Sequence, residues 1–321
     1  MTASLPAEVQ QVFERFLTTE FTTIDGRGQP ICWPLTPYYS AGDPCIDVTT
    51  ALGYPKKAFD ARANPKVALL FSEPTGCGMD AAPQVLVQGT ADVDHRDLEA
   101  NRVRYSRESR EKLPGATDLL PPERVQKLMS FYFTRLYIHV RPERVYVWPN
   151  GDSSQEPTLF DTHMEEVRSG HDEEQEGDHS AIIGGPAVWD TRMDELGARY
   201  PEAVLSLVAP DGFPFNIRVP IQVDRGAKRV RIGAGALGVP VHPGRACLTA
   251  HDHGQNFEWQ RNFQVRGDLV EDNGGWALVP RKLLGGIELP PVSKPKLYAQ
   301  NAGKMFRWWR TAKKTRRGLG A

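Results

Sequence analysis

The chain has few cysteines, and they form no pattern that binds a metal or exchanges disulfides. Only four of the 321 residues are cysteine, and none belongs to a CxxC pair or stands at zinc-site spacing from a histidine. Isolated cysteines of this kind are typical of reduced, buried thiols, so we expect a cytoplasmic protein without a structural metal.

Long apolar segments are also missing. No run of about 18 uncharged apolar residues occurs, which predicts that no helix of the chain spans a membrane. The first residues contain no basic region followed by an apolar stretch, so the sequence gives no sign of a secretory signal.

The net charge is close to zero. The chain has 39 Lys and Arg residues against 40 Asp and Glu residues. This balance argues against a protein whose main task is to coat nucleic acid or an anionic membrane. We expect a small-molecule substrate as the main partner.

Glycine and proline, in contrast, are abundant. The 29 glycines and 26 prolines separate many short runs of Val, Leu and Ile, which is typical of antiparallel β structure rich in turns. An amphipathic helix is predicted near 6–17, and Asp25-Gly26 is a hairpin signal. Further strands are predicted at 45–50, 66–72, 84–93 and 136–148, and helices near 56–63, 96–112 and 122–134.

An acidic stretch divides the chain. Residues 165–178 contain seven acidic side chains and hardly an apolar one, which predicts a solvated linker. We therefore expect four parts: an N-terminal cofactor-binding domain at 1–155, the acidic linker at 156–185, a degenerate C-terminal domain at 186–300, and a basic aromatic tail at 301–321.

The second half repeats the first. Pro65-Lys66-Val67-Ala68-Leu69-Leu70 corresponds to Pro243-Gly244-Arg245-Ala246-Cys247-Leu248, and Val85-Leu86-Val87-Gln88-Gly89 corresponds to Phe263-Gln264-Val265-Arg266-Gly267. Both pairs share one offset of 178 residues, so the segments align without a gap. Two related β domains in one chain are expected to pack as an internal pseudo-symmetric dimer, and a further homodimer of two chains stays open.

The two copies differ at a candidate anion site. In the first copy a strand ends in Thr49 and Thr50, and after a Gly/Pro turn a helix begins with Lys56 and Lys57. Hydroxyls and ammonium groups at such a junction suit the phosphate of a small cofactor. The second copy has only Val241-His242 in place of the helix and both lysines, so we expect one site per chain.

A family resemblance rests on an ordered set of segments. These are Val48-Thr49-Thr50, Lys56-Lys57, Asn64-Pro65 through Phe71, Gln84 through Gly89, and Arg141-Pro142-Glu143-Arg144-Val145 before Trp148. The set resembles the split-barrel flavoproteins of the pyridoxamine 5'-phosphate oxidase type and their deazaflavin-using relatives. The resemblance covers about residues 16–148 and reaches the second half only through the repeat.

The resemblance implies both a fold and a cofactor. The fold is mainly β (α+β), with two fused antiparallel split β-barrels and peripheral helices arranged as a pseudo-dimer. The function is an FMN- or deazaflavin-dependent oxidoreductase with the cofactor in the groove between the barrels. Thr49, Thr50, Lys56 and Lys57 would hold the phosphate, Gln84 would reach the ring or ribityl chain, and the backbone of Cys32, Trp33, Pro34 and Leu35 would face the isoalloxazine.

Two departures from the family pattern narrow these expectations. Family members often carry an arginine at the start of the strand that here begins Pro30-Ile31, where no basic residue stands, so a deazaflavin or an emptied site is an alternative to FMN. The chain also ends without the basic signature expected for pyridoxal phosphate, which argues against pyridoxamine phosphate oxidation.

Other readings remain open from the sequence. One is a non-catalytic flavin or haem carrier, with the loop from His251 to Arg261 as a candidate ligand-holding element. Another is a barrel pair without a cofactor that serves as an interaction module. The tail from Lys304 to Arg317 combines basic and aromatic residues, which is what contact with an anionic surface or nucleic acid needs. The reading we favour is that its aromatic side chains pack on the second barrel and its charges face water.

Overall fold

The computed structural model describes residues 5–113, 122–161, 181–233, 241–286 and 294–320, and for 294–302 the backbone alone. The acidic stretch at 165–178 and the turn at 236–240 lie outside these residues. No helix in the described ranges is long and apolar enough to cross a membrane.

The first half forms an antiparallel sheet and the helices that pack against it. Its elements are α1 (Ala7–Arg15), β1 (Thr19–Ile24), β2 (Pro30–Leu35), β3 (Ile46–Ala51), α2 (Lys56–Ala63), β4 (Lys66–Phe71), β5 (Gln84–Asp94), α3 (Leu98–Lys112), α4 (Glu123–Leu128), α5 (Ser130–Phe133), β6 (Arg135–Trp148) and β7 (Thr158–Asp161).

The second half forms another antiparallel sheet, and a long helix follows it. Its elements are α6 (Thr191–Arg199), β8 (Glu202–Val208), β9 (Pro214–Asp224), β10 (Arg229–Ile232), β11 (Gly244–His253), β12 (Gln260–Asp272), β13 (Gly275–Gly285) and α7 (Lys294–Gly318).

The two sheets have the same strand order. The first runs β2-β1-β4-β5-β6-β3, and the second, closed into a barrel, runs β9-β8-β11-β12-β13-β10. The first sheet is not closed between its end strands, β2 and β3. An isolated bridge joins Tyr38, which follows β2, to Asp47 of β3. The expected fold class, two fused antiparallel split barrels with peripheral helices, is confirmed.

Strand β4 shows why the barrels pack on each other. Its apolar run leaves no polar face: Val67, Leu69 and Phe71 lie in the core of the first barrel, whereas Ala68 and Leu70 join the core of the second. Successive strand residues point to opposite faces, so a continuous apolar strand must be covered on both sides. The second barrel provides that cover.

A glycine bulge recurs in both sheets. The register shifts between Gln88 and Gly89 in one sheet and between Arg266 and Gly267 in the other. A Cβ on either glycine would lie 2.1 Å from a backbone oxygen of the neighbouring strand, so only glycine fits. The two positions are 178 residues apart, the offset read from the sequence.

The interface between the barrels is polar at its centre. The hydroxyls of Thr22 and Ser206, each on the second strand of its sheet order, lie 3.5 Å apart. Side-chain amides cross the interface on both sides: Gln88 donates to the Pro214 carbonyl at 2.8 Å and Gln29 to the Ala246 carbonyl at 3.0 Å. These bonds fix how the barrels sit against each other.

The expected packing of the tail is wrong. Helix α7 carries these residues, and its Trp308 lies against Tyr54 and Phe131 of the first barrel, with ring centroids 5.7 and 6.4 Å apart. Ala312 of the same helix is buried in the first core. The contact depends on Gly53, because a Cβ there would come within 2.8 Å of the Trp308 Cβ.

Candidate anion-binding site

The turn between β3 and α2 is held from two sides. The Gly53 amide donates to the Phe131 carbonyl at 2.8 Å, and the Leu52 amide donates to the Thr134 carbonyl at 3.2 Å. Trp308 covers the glycine on the other side. The turn therefore presents the start of α2 from a fixed backbone.

Helix α2 begins without a side-chain cap. Its N-cap residue is Pro55, which has no side-chain donor or acceptor, and the described residues provide no side-chain cap. The first amides of a helix have no partner within the helix and carry a partial positive charge. Such a helix start is suited to an anion, and the contribution of each lysine depends on whether its charge is already paired.

The two lysines have different surroundings. Lys56 is exposed, and its ammonium pairs with the Asp60 carboxylate at 2.8 Å and lies 3.9 Å from Asp25. Its charge is thus neutralised at the surface, where an ion pair adds little. This arrangement does not bring Lys56 into an anion pocket.

Lys57 is half-buried among aromatic rings. Its ammonium lies 5.5 Å from the ring centre of Tyr54 and 6.0 Å from that of Trp33. Burial, followed by the nearby charge of Arg135, lowers the pKa of Lys57 to about 8, and Asp60 opposes this shift. No carboxylate of the described residues forms an ion pair with it, so Lys57 is a cation without an anion at the groove.

Arg135, the first residue of β6, is the second such cation, and the sequence analysis missed it. Its side chain is 5 % exposed and donates to the Tyr105 hydroxyl at 2.6 Å and to the Tyr54 hydroxyl at 3.3 Å. Its guanidinium also lies over the rings of Tyr105 and Tyr132. Its Nε has no hydrogen-bond partner, and across the described ranges no carboxylate pairs with it. A buried charge without a counterion is costly, and an anionic ligand would remove that cost.

The second barrel contributes a third cation. Arg266 on β12 is half-buried, and its Nε donates to Gln264 at 2.5 Å. Burial lowers its pKa, while Cys247, Asp25 and Asp60 oppose this shift. Since Arg266 also acts on the carboxyl of Asp60 in α2, it lies near the start of the lysine helix. The second barrel therefore places one positive charge near α2.

The two threonines do not join the lysines. The Thr50 hydroxyl donates to the Tyr54 carbonyl at 2.9 Å, so it closes the turn. Thr49 points to the opposite face of β3, the face on which Asp47 pairs with Arg104 of α3 at 2.6 Å. Both are buried. The structure thus gives Thr50 a role in holding the turn and separates Thr49 from Lys57.

Strand β2 lies at the open edge of the first sheet and faces the second barrel. The Cys32 carbonyl accepts hydrogen bonds from Thr249 at 3.2 Å and from Gln264. Burial raises the pKa of the Cys32 thiol to about 12, so this side chain stays a thiol. Trp33, Pro34 and Leu35, the residues that follow Cys32 on β2, are only partly buried. This part of the edge is the part that could face a ligand.

Gln84 lies away from the lysines. It is paired with Trp148 at the far end of β6 from Arg135. Its Oε1 accepts from the Arg218 amide of the second barrel at 3.1 Å, and its Nε2 has no partner. By the repeat offset of 178 residues, Asn262 is the equivalent of Gln84 in the second copy. Asn262 and Trp33 both lie next to Gly286, on the side of the barrel pair that carries Lys57.

Comparison with known proteins gives matches to solved structures alone. No family model and no curated protein matches the chain. General stress protein 26 from Bacillus anthracis has 16% identity and a TM-score of 0.31, with 48% of this chain and 98% of that chain covered. A pyridoxamine 5'-phosphate oxidase-related, FMN-binding protein from Nostoc punctiforme has 14% identity and a TM-score of 0.34, with 49% and 92% covered. An F420 reductase has 19% identity and a TM-score of 0.33, with 44% and 98% covered.

The chain resembles the split-barrel proteins related to pyridoxamine 5'-phosphate oxidase. The basis for this resemblance is the topology of the chain itself. In each of its two antiparallel sheets six strands follow the same order, and the two sheets pack as a pair.

The histidines of the second split barrel are already engaged. The His251 ring lies 2.5 Å from the buried Glu20 carboxylate and 3.2 Å from Arg218. His253 contacts the Thr18 hydroxyl at 3.3 Å and the Gly254 carbonyl at 3.0 Å. Burial lowers the pKa of His253. Both histidines are thus held by contacts within the protein, and within the described ranges no group of three or more potential metal ligands occurs.

The Gln84 side of the barrel pair contains the same charged network. Arg218 donates to the Ser72 hydroxyl at 3.0 Å and lies 3.3 Å from Glu20, which is fully buried. A charged network of this kind fills the space between the barrels there. The two sides of the split-barrel pair are therefore different. Among the described residues, Lys57 and Arg135 on one side have no carboxylate partner, whereas on the other side Arg218 and His251 contact the Glu20 carboxylate.

Proposed function

We propose that the chain binds the phosphate of one flavin or deazaflavin cofactor between Lys57, Arg135 and the start of α2, and that it acts as an oxidoreductase. The observation that carries this proposal is Arg135, a buried guanidinium with an unpartnered Nε and no carboxylate partner among the described residues. A structural arginine would be expected to have an acidic partner at such a depth.

The residues of the groove fit a phosphate. Lys57, Arg135 and Arg266 provide positive charge from three elements, and the uncapped start of α2 adds backbone donors. Hydrogen bonds to charged groups contribute roughly 1.5 to 3 kcal/mol each, so a few of them hold a cofactor without covalent attachment. Arg135 supplies from β6 the charge that family members often carry at the start of β2.

The remaining residues would orient the ring. Trp33, Pro34 and Leu35 line the free edge of β2, and Asn262 and Gln264 approach it from the second barrel. A bound flavin or deazaflavin supplies the hydride or electron transfer itself. The protein side chains then bind the phosphate, fix the ring against the β2 backbone and exclude water.

The second copy does not repeat the site. We infer that it is a degenerate duplicate, because the segment that follows β10 shows no helix at 241–243 and the opposite side of the pair contains the charged network of Arg218, Glu20 and His251. The proposal is therefore one cofactor per chain.

The test compares the two neighbouring lysines. Apoprotein is titrated with FMN, and binding is followed by the quenching of flavin fluorescence. Lys57→Ala should weaken binding at least about tenfold, which corresponds to 1.4 kcal/mol, because it removes an unpaired cation from the groove. Lys56→Ala is the matched control and should change affinity less than about twofold, since its charge is paired with Asp60 at the surface.

Equal effects of the two substitutions, or wild-type affinity in Lys57→Ala, would remove the lysine groove from the proposal. The same pair is run with a deazaflavin cofactor, and the tighter ligand identifies the cofactor class.

A further inference from the structure

Helix α7 has two different faces. Met305, Trp308, Ala312 and Thr315 lie on one stripe, and they are partly or fully buried against the first barrel. This spacing is that of a helix packed along one side. The opposite face is exposed, and it carries Phe306, Trp309, Arg310, Lys313, Lys314 and Arg317.

All charged residues of the exposed face are basic. The helix contains no acidic residue, and seven Lys and Arg residues lie between Lys304 and Arg317. None of these seven forms an ion pair in the part of the chain that the structure describes. The chain as a whole is nearly neutral, so this helix is a local concentration of positive charge.

Two aromatic side chains stand among these charges. Phe306 is 62 % exposed and Trp309 is 48 % exposed, and their rings stack with centroids 6.4 Å apart. The Lys313 ammonium lies 5.5 Å from the centre of the Trp309 ring. Large aromatics are rarely left this exposed side by side without a partner surface.

We propose that this face of α7 docks on the surface of an anionic phospholipid bilayer. From Phe306 to Arg317 the face is about 16 Å long, at 1.5 Å per residue, and it lies on one uninterrupted helix, which suits an extended partner surface. Lysine and arginine reach headgroup phosphates on flexible stems, and Trp and Phe enter the interface beneath them. Each such cation near an anionic leaflet adds to the attraction, which is lost at high salt.

The aromatic geometry favours a bilayer over single-stranded nucleic acid. Base stacking needs a free aromatic face. The Phe306 and Trp309 rings lie nearly parallel beside each other, and the Lys313 ammonium lies over the Trp309 ring, which leaves less room for a base to stack on this pair. The exposed parts of both side chains can enter a headgroup layer. The proposal is independent of the cofactor site, because Trp308, which contacts Tyr54, lies on the buried face of α7 and not on the proposed docking face.

The experiment is co-sedimentation of the full chain with vesicles. Binding is expected to vesicles that contain phosphatidylglycerol and not to vesicles of phosphatidylcholine alone, and it should fall steeply as salt is raised. The triple variant Arg310→Gln, Lys313→Gln, Arg317→Gln should bind at least about tenfold more weakly. A control variant that removes three exposed cations elsewhere, Arg96→Gln, Arg225→Gln, Lys228→Gln, should bind as the wild type does.

Two further readouts decide the outcome. Trp309→Phe should abolish most of the blue shift in tryptophan emission that accompanies vesicle binding, and circular dichroism should show all variants folded. The proposal would be overturned if both triple variants weakened vesicle binding equally. It would also be overturned if the wild type bound equally well to vesicles made only of phosphatidylcholine. Tighter binding to single-stranded RNA than to anionic vesicles, lost in the α7 variant, would assign the face to nucleic acid instead.

Discussion

Lys57 and Arg135 show how two residues of ordinary type become a candidate site through their surroundings. Neither has an acidic partner in the described ranges, and both lie among tyrosines at the turn between β3 and α2. The aromatic rings tolerate a cation but do not neutralise it. These surroundings are the basis of the proposal that an anion binds between the two side chains.

The lowered pKa of Lys57 predicts how cofactor binding depends on pH. The free protein holds this lysine charged below about 8 and loses the charge as pH rises through that value. A phosphate favours the charged form, so affinity for FMN should fall above pH 8 by up to about tenfold per unit. A phosphate monoester has its second pKa near 6, so the ligand charge stays constant over this range.

The control for this prediction is Lys57→Arg. Arginine stays charged over the whole range, so its affinity should be flat between pH 7 and 10. Tyr54 does not confuse the comparison, because burial raises its pKa. The same slope in both proteins, measured by fluorescence titration, would show that another group titrates.

The sequence alone could identify the lysine pair but not distinguish its members. Lys56 and Lys57 are adjacent, and only the packing of α2 against Trp33 and Tyr54 separates an exposed ion pair from a half-buried cation. Arg135 gave no signal, because an arginine at a strand start is ordinary until its neighbours are known. Thr49 and Gln84 were grouped with the lysines, and strand alternation and the strand register place them elsewhere.

At the scale of elements, hydrophobic spacing and turn residues predicted most boundaries well. The strand predicted at 84–93 is β5 (Gln84–Asp94), and that predicted at 136–148 is β6 (Arg135–Trp148). Strand β7 lies within 156–185, the range expected to be a linker. Composition alone does not indicate that this short segment pairs with the sheet. The packing of α7 was missed because its aromatic residues fit either barrel by composition.

The paired bulges give an element-scale prediction. Gly89→Ala and Gly267→Ala should each lower the free energy of unfolding by about 1 to 3 kcal/mol or more, because the new Cβ meets backbone that cannot move aside. Urea unfolding measures the loss. Gly26→Ala is the control, since nothing lies within 4 Å of its Cβ position, and it should change stability by less than about 0.5 kcal/mol. Tolerance of alanine at both bulges would contradict the close approach of the strands.

At the scale of the whole molecule, the barrels share one strand order but have unequal grooves. The apolar strand β4 is covered only when the second barrel packs on the first. Arg218, Glu20 and His251 form a charged network on one side of the pair, and Lys57, Arg135 and Arg266 are the proposed anion ligands on the other. The two barrels thus share one topology, but the candidate site lies on one side of the pair.

This asymmetry could be predicted only in part. The shortened segment at Val241-His242 showed that the second copy lacks a lysine helix. The charged network could not be predicted, because Glu20 and His251 are 231 residues apart and come together only across the interface. Such long-range charge pairs have no local sequence pattern.

The most direct test of the account is the number of cofactors bound per chain. Isothermal titration of the apoprotein with FMN, and with a deazaflavin cofactor, should give one site per chain for the ligand that binds, and Lys57→Ala should weaken that site. Two sites per chain, or one site whose affinity does not depend on Lys57, would contradict the account.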